Sequence, residues 1–294
     1  MIGFLVVDKE AGWTSHDVVA RCRRILGERR VGHAGTLDPG ATGVLVLGVG
    51  PATRLLRYVS GADKAYRAEV VLGTTTSTGD DDGEVLETFE MAGVTLAEVA
   101  GAAAVLTGEI DQRVPMVSAV KVGGQRLHRL ARQGVEVPRP VRRVRIDRFE
   151  VAEGSDPGTF AIEVTCSAGT YVRTLATDLG AALGGGAHLR RLRRVRAGRF
   201  TESEAKRVAE IEEAVGSGAE VLRAPLEALE LPRVVVPGDA CPEVRHGRPL
   251  EGPGSGAPST GPFAVLDPDG RLLAVYEAAP DRRSSRACVV LAPG

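Results

Sequence analysis

Apolar residues recur along this 294-residue chain at two different periods, in an order that does not repeat. Tyr66, Ala68, Val70 and Leu72 alternate with Arg67 and Glu69, and Phe160, Ile162, Val164 and Cys166 alternate in the same way. That period of two is the mark of a half-buried strand. Val18, Val19, Cys22, Ile25 and Leu26 instead follow helical spacing behind a Thr14-Ser15 capping signal, with Arg21, Arg23 and Arg24 facing away. A second helical pattern follows Gly169 through Leu175 and Leu179, and short apolar runs at 4–9 and 44–49 read as strands. Strands and helices mixed without a regular strand-helix-strand repeat predict an α+β fold. From 225–232 onward the character changes to short strand-like runs at 233–236, 263–266 and 272–276, around a Gly/Pro/Ser-rich loop at 252–261. Residues 1–228 therefore read as the main domain and 229–294 as a small β-rich C-terminal domain.

No run approaches the roughly 18 apolar residues that span a bilayer. The first ten residues carry no basic leader, so no secretory signal is expected and the reading is cytoplasmic. The four cysteines lie far apart with no C-x-x-C pair, which fits buried thiols better than a zinc site or a disulfide framework. A net charge of −1 conceals strong segregation. Residues 113–148 hold ten basic and two acidic side chains, and 188–207 hold eight and two, whereas 80–112 hold nine acidic and no basic ones. A solvated face mixes its signs, so this pattern points to an anionic partner.

Between the runs at 4–9 and 44–49 lies Gly32-His33-Ala34-Gly35-Thr36-Leu37-Asp38-Pro39-Gly40-Ala41-Thr42-Gly43. On residue chemistry alone Asp38 has two readings, an Asp-Pro-Gly turn former and an active-site carboxylate. A phosphate-cradling loop fails on pattern, since neither Gly-Lys-Ser/Thr nor G-x-G-x-x-G occurs. Tyr66 likewise reads either as core or as an aromatic platform with a usable hydroxyl. Arg173 falls in the first turn of its helix, where the dipole disfavours a cation, so a specific anionic partner is expected. The acidic run 78–84 lacks the ligand spacing of a calcium loop, and the five histidines assemble no metal site.

The 32–43 segment resembles the signature G-H-x-G-x-L-D-P-x-A-T-G of the bacterial tRNA pseudouridine-55 synthases, the TruB family. Further blocks agree in the family's order: Asp8-Lys9 with Gly12-Trp13-Thr14-Ser15, Lys64-Ala65-Tyr66-Arg67, Leu72-Gly73 through Asp80-Asp81-Asp82-Gly83, Ser167-Ala168-Gly169-Thr170-Tyr171-Val172-Arg173, and Gly186-Ala187-His188 with Leu192-Arg193-Arg194. Glu10 stands where the family usually has proline. The resemblance implies a pseudouridine synthase fold, with a mixed, largely antiparallel central sheet flanked by helices and loops, and a PUA-like C-terminal domain. It makes Asp38 the nucleophile, Tyr66 the aromatic that stacks on the base and takes the C5 proton, and Arg173 the partner of Asp38, keeping its pKa low. It assigns substrate contacts to His33, Tyr171, Leu192, Asp80 and Lys9, and RNA-clasping contacts to Lys121, Arg126 and Arg129 within the basic insertion 113–148. It implies transfer RNA as partner, base flipping, and no cofactor or metal; no membrane and no protein partner are expected, and a monomer is the default. A guide-RNA-dependent synthase, a binding-only RNA chaperone and a carboxylate hydrolase are the competing readings. The insertion and the short C-terminal domain argue against the first. The joint presence of Asp38, Tyr66 and Arg173 argues against the second, and the lack of a second placed acid against the third.

Overall fold

The computed structural model describes residues 1–251, 258–278 and 284–291; most of the Gly/Pro/Ser-rich loop, residues 252–257, lies outside the described residues. The main domain is built on nine strands: β1 (Gly3–Lys9), β2 (Val31–His33), β3 (Thr42–Val49), β4 (Lys64–Leu72), β5 (Gly108–Arg113), β6 (Val141–Glu153), β7 (Thr159–Cys166), β8 (Ala187–Ala197) and β9 (Phe200–Thr201). They run in the order β1-β3-β8-β4-β7-β6-β5, with β2 beside β3 and β9 beside β8. Every pairing is antiparallel except β3 with β8, which meet in parallel at Thr42–Arg193 and Gly43–Arg194. The two alternating runs read from the sequence are adjacent strands, Tyr66 opposite Val164 and Ala68 opposite Ile162.

Helix α1 (Ser15–Leu26) starts on a capping box in which Thr14 and Asp17 each satisfy the other's backbone amide, and it ends on Gly27 in the left-handed region. Its buried face, Val18, Val19, Cys22 and Leu26, joins the sheet in the main core. Helices α2 (Leu96–Val105) and α3 (Val172–Ala182) cover the same core. A Thr95–Glu98 box caps α2, whereas the N-cap of α3 is Tyr171, which offers no side-chain cap.

The basic segment 113–148 divides in two. Residues 141–148 belong to β6, which pairs with β5 over Val141–Ile146, and their arginines are largely partnered: Arg143 with Glu109, Arg145 with Asp63 and Asp147, and Arg148 with Glu150. The part that leaves the sheet holds a two-stranded hairpin, Lys121–Val122 with Gln125–Arg126, and the helix Leu127–Arg132. It has its own small core of Val114, Leu127 and Leu130, against which Tyr171 packs.

The C-terminal strands Arg233–Val235, Pro262–Leu266, Leu272–Ala278, Ser284–Val290 and Leu250–Glu251 form a second sheet in that order. Val275, Val289 and Leu291 from this part share one apolar cluster with Phe4, Val44 and Phe200 of the main domain. Among the described residues no helix is long and apolar enough to cross a membrane.

Candidate active site

The segment between β2 and β3 carries Asp38 at its turn, where the Ala41 amide bonds back to the Asp38 carbonyl at 3.1 Å. Three side chains hold this loop by its backbone. Ser15 Oγ donates to the Leu37 carbonyl at 3.1 Å and accepts the Leu37 amide at 2.9 Å. Lys9 Nζ donates to the carbonyls of Trp13 at 2.6 Å, Glu10 at 3.0 Å and Pro39 at 3.1 Å. Arg194, 1% exposed, donates from Nε to the Val44 carbonyl at 2.7 Å and from its Nη atoms to Gly35 at 3.1 Å and Thr36 at 3.4 Å. The last contacts require β3 and β8 to approach closely. Gly43, at φ 100°, permits this, since a Cβ there would run into the Arg194 carbonyl.

Arg173 reaches this loop from the first turn of α3. Its side chain is 5% exposed, with Nε 3.1 Å from the Asp38 carboxylate and 3.5 Å from that of Asp80. Its Nη atoms donate to the carbonyls of Thr78 at 2.7 Å and Val117 at 2.9 Å, so each of its three nitrogens has a partner. The salt bridge expected from the sequence is present and pulls the Asp38 pKa down as expected, but burial outweighs it. Asp38 keeps 40% side-chain exposure, into a pocket rather than bulk water, and its pKa is raised. Desolvation dominates; Arg173 and Lys9 oppose it, while Asp80 and Asp82 reinforce it. The acidic run 80–82 is what the sequence reading left out of this balance.

The pocket at Asp38 has a volume of about 260 Å³ and is walled by Tyr66, Tyr171, Leu192, Arg173, Arg194 and Lys64 among others. An apolar cavity of roughly 150 Å³ already holds benzene, so a pyrimidine ring fits. Tyr66 lies opposite Arg194 in the β4–β8 register and is 8% exposed. Burial raises its pKa, against the pull of Arg194. Leu192 enters the wall because β8 bulges between Arg190 and Arg193, with Arg191 at φ 55°. Lys64, 6% exposed, donates to the carbonyls of Ser60 and Ala62, and burial lowers its pKa to about 8.

The structure thus brings together Asp38, Tyr66, Arg173, Tyr171, Leu192 and Asp80. Lys9 does not reach the pocket: it is 0% exposed and its three protons go to backbone carbonyls, so it is a pin of the loop rather than a substrate contact. His33 is not part of the pocket lining; it packs edge-on to His16 at 5.4 Å, its buried Nδ1 makes no hydrogen bond, and burial lowers its pKa. Lys121, Arg126 and Arg129 are exposed on the insertion and make no ion pair among the described residues. Sequence reasoning missed Lys64, Arg194 and Gln112 as site-building residues. Lys64 continues the Tyr66-Ala68-Val70 face at period two, and Gln112 follows Ile110 in the same way. A charged or amide side chain on a buried register is the signal that would have found them.

Two solved structures superpose on nearly the whole chain. A chain of a Cbf5-Nop10-Gar1 complex superposes with a TM-score of 0.75 at 29% identity, over 99% of this chain and 84% of that one. A chain of an H/ACA RNP bound to a substrate RNA containing 2′-deoxyuridine gives 0.74 at 27%, over the same shares. The architecture is that of the pseudouridine synthases. The family model for the N-terminal domain of TruB family pseudouridylate synthase matches residues 23–172. Models for the tRNA pseudouridylate synthase B C-terminal domain and the tRNA pseudouridine synthase II C-terminus match 173–241 and 231–292. Proteins named tRNA pseudouridine synthase B are 47% identical in Mycobacterium sp. (strain KMS), over 99% of this chain and 96% of the relative, and 46% identical in Thermobifida fusca (strain YX), over 99% of both. The chain belongs to the TruB family.

Proposed function

We propose that this protein isomerises uridine-55 in the T-loop of transfer RNA to pseudouridine, with Asp38 as the nucleophile. The observation that carries the reading is one partly exposed carboxylate, ion-paired to Arg173 at 3.1 Å, facing a base-sized pocket floored by Tyr66. The reaction breaks the N1–C1′ bond of a uridine and joins C1′ to C5; the C5 proton leaves to solvent and N1 regains one. A carboxylate serves it by covalent attack or by assisting a glycal route, and the tyrosine hydroxyl accepts the C5 proton. A base inside a folded loop must be flipped to reach Asp38, and the walls of Tyr171 and Leu192 would then exclude water from it. Asp80 shares the Arg173 Nε with Asp38, at 3.5 Å. Lys121, Arg126 and Arg129 would contact RNA phosphates from the insertion. Residues 1–228 form the catalytic domain in this reading and 229–294 the appended one. Because one chain supplies every residue of the site, a monomer suffices, and a transfer RNA substrate places the work in the cytoplasm.

The test is tritium release from transfer RNA labelled at uridine C5. Release by the native protein, its loss in Asp38→Ala, and dependence on the T-loop uridine are expected. The acid limb of activity should lie above the ordinary carboxylate range, because burial raises the Asp38 pKa and the nucleophile must be ionised. Binding of transfer RNA without release would overturn the reading in favour of a chaperone.

A further inference from the structure

Gln112 sits at the end of β5, just before the insertion leaves the sheet, and is 1% exposed. Its side-chain amide makes a matched pair of bonds to the backbone of one residue: Nε2 donates to the Tyr171 carbonyl at 3.0 Å, and Oε1 accepts the Tyr171 amide at 2.7 Å. Tyr171 is the N-cap of α3, without a side-chain cap of its own, and its carbonyl also takes the first helical bond, from the Leu175 amide at 3.1 Å. The start of the helix is therefore registered from outside, by Gln112. Arg173 follows two residues later, with Nε on Asp38 and an Nη donating to the Val117 carbonyl inside the insertion. The Tyr171 ring, in turn, packs on the insertion's own apolar cluster.

We propose that Gln112 is a positioning residue for the Asp38–Arg173 pair, locking the first turn of α3 to the root of the insertion so that Tyr171 and Arg173 face the pocket together. Gln112 does not line the pocket. The position needs one donor and one acceptor on a single planar group, which an amide supplies and an ionised carboxylate does not. Because the amide is buried, a shift of the helix start would leave its polar atoms unpaired, which opposes such a shift. The proposal rests on Asp38 being the catalytic carboxylate.

Gln112→Met, of similar length without either bond, tests it in the tritium-release assay on transfer RNA, with Asp38→Ala run alongside. The expected result is a fall in kcat of roughly ten- to a hundredfold, the scale of a misplacement of about an ångström, with KM for transfer RNA changed less than about threefold. The acid limb of the pH profile should also move upward, since an Arg173 drawn away from Asp38 no longer opposes the upward effect of burial. Combined with Arg173→Lys, the losses should be far less than multiplicative, as for residues acting as one unit. If Gln112→Met does not yield folded protein, Gln112→Asn, which keeps an amide but is one methylene too short to hold both Tyr171 groups, carries the same expectation. An unmoved acid limb, a loss confined to KM, or multiplicative losses would overturn the proposal. If Asp38→Ala itself releases tritium, the assignment of Asp38 fails instead.

Discussion

Replacing Lys9 by methionine sets two effects of similar size against each other, and pH separates them. In the native protein Lys9 Nζ is fully buried, and its pKa falls from 10.5 to about 8, chiefly through desolvation, with Asp38 opposing. At about 1.4 kcal/mol per pH unit, holding that ammonium charged at pH 7.5 costs roughly 3 kcal/mol relative to the unfolded chain. Lys9→Met removes this cost but strips the donor from the Glu10 and Trp13 carbonyls, at about 1–3 kcal/mol each. The Pro39 carbonyl keeps the Gly12 amide at 2.9 Å. Near pH 7.5 the variant should therefore lie within about 2 kcal/mol of the native protein. Between the folded value near 8 and the unfolded 10.5 the unfolded lysine holds the extra proton. Native stability thus gains from this group as pH rises there, and the variant has no such gain. Urea unfolding of both proteins from pH 7.5 to 10.5 should show the difference growing in favour of the native protein, by up to about 3 kcal/mol. Lys64, lowered to about 8 by the same cause, is present in both and cancels. Turnover should drop roughly tenfold, because Pro39 adjoins Asp38 and loses one of its ties. A stability difference that stays flat with pH would refute the buried-cation account of the loop, and undiminished turnover would refute its role in placing Asp38.

Two other perturbations separate chemistry from binding. Tyr66→Phe keeps the buried ring and deletes only the hydroxyl, so thermal stability and transfer RNA affinity should hold while tritium release falls by roughly a hundred- to ten-thousandfold, the range for a general base; release at the native rate would remove Tyr66 from proton transfer. Replacing Lys121, Arg126 and Arg129 together by alanine should weaken transfer RNA binding and flatten its dependence on log salt by roughly 2, with the rate at saturating RNA retained; an unchanged salt slope would place the RNA elsewhere.

The family resemblance, not residue chemistry, assigned the site roles; what the chain carries locally is the set of features that made those residues candidates. The Asp-Pro-Gly turn, the period-two face carrying Tyr66 and the cation set against the dipole of α3 are each encoded within a few neighbouring residues. The α+β class followed equally from the order of the two periods. What the sequence could not convey was which distant charges share a volume. Asp38 carries a raised pKa because burial and the carboxylates of Asp80 and Asp82 outweigh Arg173, a balance set by packing three separate segments together. Lys9 and Lys121 look alike as letters, yet one is sealed against three carbonyls and the other is exposed on a hairpin. Gln112 meets Tyr171 across 59 residues, a pairing fixed only once β5 and α3 are docked. Sequence determines which groups have the chemistry to act; desolvation and hydrogen-bond partners depend on who else occupies the surrounding few ångströms, and that is decided by the tertiary fold alone.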